Sequence, residues 1–142
     1  MTLGDVNVLI CAFREEMDQH SICFDWLNSQ ANSNESFGVS EWVLTSFVRV
    51  VTNVRIFKTP TPLSRAFLFC NALLNHPNAV RLTPGERYWE IFEKLSDASN
   101  ARGNLIPDAS FAALAIETGS DWVTLDRDFA RFPGLRWTHL SG

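Results

Sequence analysis

The chain has no apolar run approaching the ~18 residues that a membrane-spanning helix needs. Its first residues also lack the succession of basic, apolar and small residues that marks a secretory leader. The expectation is a cytoplasmic protein with no membrane partner. Cysteine is scarce. Cys11, Cys23 and Cys70 are widely spaced within apolar runs, and an odd number without Cys-x-x-Cys spacing argues against a disulfide framework and against a zinc site. Buried, reduced thiols are the simpler reading. No Gly-x-Gly-x-x-Gly or Gly-x-x-x-x-Gly-Lys-Ser/Thr occurs, so dinucleotide and P-loop sites are disfavoured. No Gly-x-Ser-x-Gly marks a nucleophile elbow. His20, His76 and His139 have no His-Glu-x-x-His spacing and read as scattered surface residues.

Acidic residues are missing from one long region. Residues 42–85 carry Arg49, Arg55, Lys58, Arg65 and Arg81 and no carboxylate. Residues 1–41 carry seven acids and one base, and residues 86–142 nine acids and six bases. In a chain of net charge −4 this asymmetry suggests a basic surface able to hold a polyanion beside acidic parts of the molecule. Five solvated side chains sharing no common face would give the same count.

What is present is a globular pattern. At 142 residues, with 46% hydrophobic and 20% charged side chains, one domain over residues 1–142 can bury a real core. Residues 2–5 read as a short buried strand. A helix is expected over about 7–13 and a second over 20–30, followed by a polar loop to Ser36. Residues 37–39 suit a strand, and Ser40 an N-cap for a helix to about Thr52. Thr59-Pro60-Thr61-Pro62 breaks the chain before a helix over 63–74. Residues 78–82 are β-like. Thr83, Pro84 and Glu86 suggest a capping box that opens a helix to about Ser96. Asp108–Thr118 forms the clearest helix, stopped by Gly119. Strands follow at 122–125 and 135–139. Strands alternating with helices predict an α/β fold with a parallel sheet, whose sites gather at the carboxyl ends of the strands.

Aspartates stand at those ends. Asp5 closes the first strand, Asp126 and Asp128 follow the strand at 122–125, and Asp108 opens its helix beside small residues. Each has an ordinary alternative: a helix cap for Asp5, a favourable helix-dipole contact for Asp108, solvated turn acids for Asp126 and Asp128. Converging in space, they would make a pocket for a hard divalent cation. Asp126 and Asp128, two apart on an extended chain, would point the same way. Asn7 could position a water, bond to Asp5 or simply form a turn. Glu41, in the first turn of its helix, is a further candidate carboxylate.

Four segments then resemble a known family. They are Asp-Val-Asn-Val-Leu from Asp5, Ser-Glu-Trp-Val-Leu-Thr-Ser-Phe-Val-Arg from Ser40, Pro-Asp-Ala-Ser-Phe-Ala-Ala from Pro107, and Thr-Leu-Asp-Arg-Asp-Phe from Thr124. In this order and spacing, closed by Phe132-Pro133-Gly134-Leu135, the chain resembles PIN-domain ribonucleases, and more closely the VapC toxins of bacterial toxin–antitoxin systems. The resemblance covers essentially the whole chain. It implies a PIN-like three-layer α/β/α fold with a central parallel sheet of four to five short strands. It implies a Mg²⁺- or Mn²⁺-dependent endoribonuclease that inhibits growth or translation, a homodimer, and a cognate VapB-type antitoxin. Asp5 and Asp108 match the principal metal ligands, Asp126 the third aspartate and Asp128 the accessory one.

The chain departs from the family in its middle motif. Many members place a glutamate near this chain's Ser46; here the nearest acid is Glu41, more than a turn earlier. Either Glu41 serves from a different position or the site has one carboxylate fewer. The expected catalytic set is thus Asp5, Glu41, Asp108 and Asp126, with Asp128 as a further metal ligand. Asn7, Arg49, Arg55 and Lys58 are the candidates for holding RNA. A catalytically inactive PIN-like module that binds RNA or a protein partner is the competing reading, and the missing acid at Ser46 is its support. A receiver-type phospho-acceptor domain would need a lysine near the last strand, and the only lysines are Lys58 and Lys94.

Overall fold

A computed structural model of the chain describes residues 1–141. Five short strands form one sheet: β1 (Thr2–Gly4), β2 (Phe37–Val39), β3 (Ala79–Arg81), β4 (Asp121–Thr124) and β5 (Trp137–His139). Their order is β3-β2-β1-β4-β5 and every neighbouring pair is parallel. Parallel neighbours need crossovers, and helices supply them. They are α1 (Val6–Phe13), α2 (His20–Asn32), α3 (Glu41–Val51), α4 (Leu63–Leu74), α5 (Tyr88–Ala98) and α6 (Leu105–Thr118). The result is the parallel α/β sheet that the alternating pattern predicts, in the three-layer α/β/α arrangement that the family resemblance implies.

The sheet separates two apolar clusters. Consecutive strand residues face opposite ways, so Trp122 joins the larger cluster and Val123 the smaller one between α1 and α2. Trp122 is fully buried and lies between the rings of Phe111 and Phe129. At the centre β1 approaches its neighbours closely. A side chain at Gly38 would meet the Leu82 side chain and the carbonyl oxygen of Thr2, so any larger residue requires Leu82 to move. All three cysteines are buried and unpaired, and burial pushes the Cys23 thiol up to about 12.

Most elements lie within a residue or two of their predicted ends. Ser40 does cap α3, its hydroxyl accepting from the N–H groups of Trp42 and Val43. Gly119, at φ 68°, closes α6 in the left-handed conformation that favours glycine. Two boundaries differ. Thr83 does not begin a helix; α5 starts at Tyr88. The turn before it is held instead by Glu117 at the end of α6, whose two carboxylate oxygens accept from the N–H groups of Gly85 (2.6 Å) and Arg87 (2.9 Å). A cap from thirty residues away replaces the local one. Helix α6 also starts three residues before Asp108, because Pro107 fits a first turn that has no N–H bond to lose.

Candidate active site

The parallel register brings the carboxyl ends of β1 and β4 side by side: Gly4 pairs with Val123, and the Asp5 N–H donates to the Val123 carbonyl at 2.8 Å. Asp5 therefore leaves β1 beside Thr124. It also caps α1, one oxygen accepting from the Val6 N–H at 2.6 Å, so the cap and the site are the same side chain. Its second oxygen accepts the Thr124 hydroxyl at 2.6 Å. That hydroxyl accepts in turn from the Asp126 N–H at 3.0 Å and, at 3.5 Å, from the Asn7 amide. Asn7 is tied to β4 a second time, its side-chain oxygen accepting from the Leu125 N–H at 3.2 Å. Asn7 bonds to Thr124 and Leu125, and not to Asp5.

Asp108 arrives from the other side. Helix α6 carries Ala109, Ala112, Ala113 and Ala115, all fully buried, and residues this small let the helix axis approach its neighbours closely. Asp108 is half-buried and its carboxylate makes no hydrogen bond among the described residues. Asp5, Asp108 and Asp126 line one cleft of about 300 Å³, together with Asn7, Ser46 and Arg49. Arg49 has no carboxylate partner among the described residues and is the cation on the α3 wall.

The carboxylates perturb one another. Burial pushes the Asp5 pKa up to about 7 against two opposing hydrogen bonds, and the charges of Asp108 and Asp126 add to the rise. Asp108 is raised to about 6, first by burial and then by Asp126 and Asp128, with Arg131 pulling the other way. Acids held this high, lining a cleft, mark a place that favours added positive charge. Carboxylate and amide oxygens are hard donors suited to Mg²⁺ or Mn²⁺. Among the described residues no group of three acidic, histidine or cysteine side chains is already arranged to hold an ion.

Other expected residues lie elsewhere. Glu41 does not reach the cleft. Five positions before Ser46 on a helix of 3.6 residues per turn, it points well away from the α3 face that meets Asp5. It borders a separate groove between α3 and α4 and sits 3.9 Å from Arg81. Asp128 does not continue an extended chain beside Asp126. Residues Arg127–Arg131 form a 3₁₀ turn, and Asp126 caps it by accepting from the Asp128 N–H. The Asp128 carboxylate is exposed and lies 3.6 Å from Arg131. Arg55 and Lys58 are exposed on the turn after α3 and do not line the cleft. Thr124 was not anticipated. A polar side chain ending an apolar strand two residues before an aspartate was the available signal.

The chain matches a known family: the model of the PIN domain covers residues 3–135. The chain belongs to the PIN-domain family, in its VapC branch. Ribonuclease VapC43 of Mycobacterium tuberculosis is 45% identical over 139 residues, which span 98% of this chain and 95% of the relative. Among solved structures, VapBC-1 from nontypeable Haemophilus influenzae superposes with a TM-score of 0.70 at 17% identity, covering 98% of this chain and 97% of that one. VapBC2 from Rickettsia felis, solved bound to a DNA fragment from its promoter, gives 0.68 at 18% identity over 95% of each chain. At such identities the two structures speak for the PIN fold alone.

Proposed function

We propose that this PIN domain is a Mg²⁺- or Mn²⁺-dependent endoribonuclease and the toxin of a VapBC-type pair. The observation that carries the reading is the convergence of Asp5, Asp108 and Asp126, from three separate elements, on one cleft that also holds Arg49. The bound cation supplies charge neutralisation at the scissile phosphate and makes a nearby water more acidic. Asp5 and Asp126 offer oxygens from the ends of β1 and β4. Asp108, which no hydrogen bond restrains, is the carboxylate free to draw in. Arg49 faces the acids from α3 and suits an RNA phosphate, with its flat guanidinium able to contact two oxygens. Asn7 borders the same space. Arg55 and Lys58, on the outer turn, are placed to meet RNA beyond the cleft rather than at the bond being cut. Asp128 acts from outside, through its charge on Asp108. The chain acts in the cytoplasm as a homodimer and is restrained by a VapB-type antitoxin. The relatives' names support the reading as a VapC ribonuclease.

One observation favours a second reading. Ser46 lines the cleft where many relatives carry an acid, and Glu41 does not replace it, so a module that binds without cutting is the alternative. A single experiment separates the two: total RNA incubated with the purified chain, with and without Mg²⁺, with cleavage ends mapped, comparing wild type, Asp108→Asn and Glu41→Gln. The enzyme reading expects Mg²⁺-dependent ends from wild type and Glu41→Gln and none from Asp108→Asn. Equal cleavage by Asp108→Asn, or none by wild type, sinks it.

A further inference from the structure

Thr124 is the one fully buried polar side chain at the cleft. A hydroxyl has one proton and two lone pairs, and here all three are engaged. The proton goes to Asp5 at 2.6 Å, and the lone pairs face the Asp126 N–H at 3.0 Å and the Asn7 amide at 3.5 Å. One atom therefore joins the end of β1, the first turn of α1 and the residue that caps the 3₁₀ turn after β4. Its own place is fixed, because Thr124 sits in β4 with its main chain paired to His139 of β5 and its side chain sealed from solvent. Among the described residues the Asp5 and Asp126 side chains share no direct hydrogen bond, and the Asn7 side chain bonds to Thr124 and Leu125 rather than to either carboxylate.

We infer that Thr124 is a positioning residue: its hydroxyl sets the spacing and orientation of the Asp5 and Asp126 carboxylates so that together they receive the divalent cation. This rests on the metal-dependent reading above and deepens it. Groups that orient metal ligands from behind typically change affinity or activity by ~10–100-fold when removed. Valine is the variant that isolates the hydroxyl, since it keeps the branched shape and loses only the polar atom. Serine is the complement, keeping the hydroxyl and losing the methyl group.

The test is Mn²⁺ binding by electron paramagnetic resonance, in the absence of RNA, on wild type, Thr124→Val and Thr124→Ser, with RNA cleavage measured alongside. Thr124→Val is expected to bind Mn²⁺ at least ~10-fold more weakly, and to lose kcat while KM for RNA changes little. Thr124→Ser is expected within about twofold of wild type in both. Val-variant binding within twofold of wild type overturns the inference. So does a folded Ser variant as impaired as the Val variant, because packing of the methyl group would then be what matters. Should the Val variant not fold, the Ser variant decides alone: binding retained supports the inference, and a tenfold loss overturns it. A wild-type chain that takes up no Mn²⁺ removes the metal reading and this inference together. A wild type that binds Mn²⁺ beside an unaffected Val variant removes only the inference.

Discussion

The two sides of the acidic cleft are built on opposite plans. On the β1–β4 side, Asp5, Asn7, Thr124 and Asp126 are joined by hydrogen bonds into one unit whose geometry follows from strand register. On the α6 side, Asp108 stands alone and is placed only by how closely a row of alanines lets its helix approach. Wiring fixes a carboxylate but consumes its lone pairs; packing leaves the lone pairs free but fixes the group less. A site that must meet both a cation and a moving substrate gains from having one side of each kind.

The largest effect should come from removing a carboxylate on either side. Asp5→Asn and Asp108→Asn are each expected to reduce cleavage by more than the ~10–100-fold that outer residues typically cost, measured as initial rates on one labelled RNA. Retained activity in either variant would overturn the metal-dependent reading.

Stability should then separate the two sides as a function of pH. Asp5, at about 7, and Asp108, at about 6, hold protons in the folded chain that the unfolded chain releases near the ordinary aspartate value of 3.8. Raised carboxyl groups contribute stability that is fully present below that value and is lost as pH rises through the folded values. The metal-free protein should therefore melt at lower temperature at pH 8 than at pH 5. Asp5→Asn should gain roughly 2–4 kcal/mol on metal-free wild type at pH 8, at about 1.4 kcal/mol per pKa unit, and the gain should vanish towards pH 4. Asp108→Asn should show the same sign and a smaller gain, with its loss complete about one pH unit lower. Melting curves from pH 4 to 8 check both; a pH-independent difference would contradict the burial account.

Packing offers a third break. Ala112→Leu places extra volume where α6 is fully buried. Overpacking of this kind costs about 1–3 kcal/mol, and the shift in α6 should lower cleavage while leaving the Asp5–Thr124 bond, read by NMR of the hydroxyl or by a crystal structure, unchanged. The smallest effect belongs to Asp128→Ala. Its carboxylate is exposed and lies 3.6 Å from Arg131, so cleavage should change by less than the ~10-fold lower bound for residues that orient ligands.

How much of this was legible in the sequence depended on distance along the chain. Ser40 and α3, the strand at 37–39 and the helix at 63–74 are read correctly because caps and periodicity are local signals. Asp5 could be placed at a strand end, but its partner Thr124 lies 119 residues away and no local pattern links them. The same distance problem misplaced the start of α5, where Glu117 displaced a plausible capping box. Asp128 was misread for a different reason: Asp-Arg-Asp after a strand fits both an extended continuation and a capped turn, and only the turn lets Phe129 bury against Trp122. Glu41 shows the limit of a family pattern, since five residues along a helix leave it about 140° round the axis from Ser46.

The pairing of β1 with β4 also has a meaning in time. Thr2, Leu3 and Gly4 are made more than a hundred residues before their partners Asp121, Trp122 and Val123. Contacts this distant in sequence close late, after the chain entropy of a long loop has been overcome. A nascent chain that has reached Gly119 already contains Asp5 and Asp108, yet has neither the strand that completes the cleft nor Thr124 and Asp126. Under the proposed function, such a ribosome-bound intermediate is harmless to the RNA around it, and the cutting site comes into being only once β4 and Asp126 have been made.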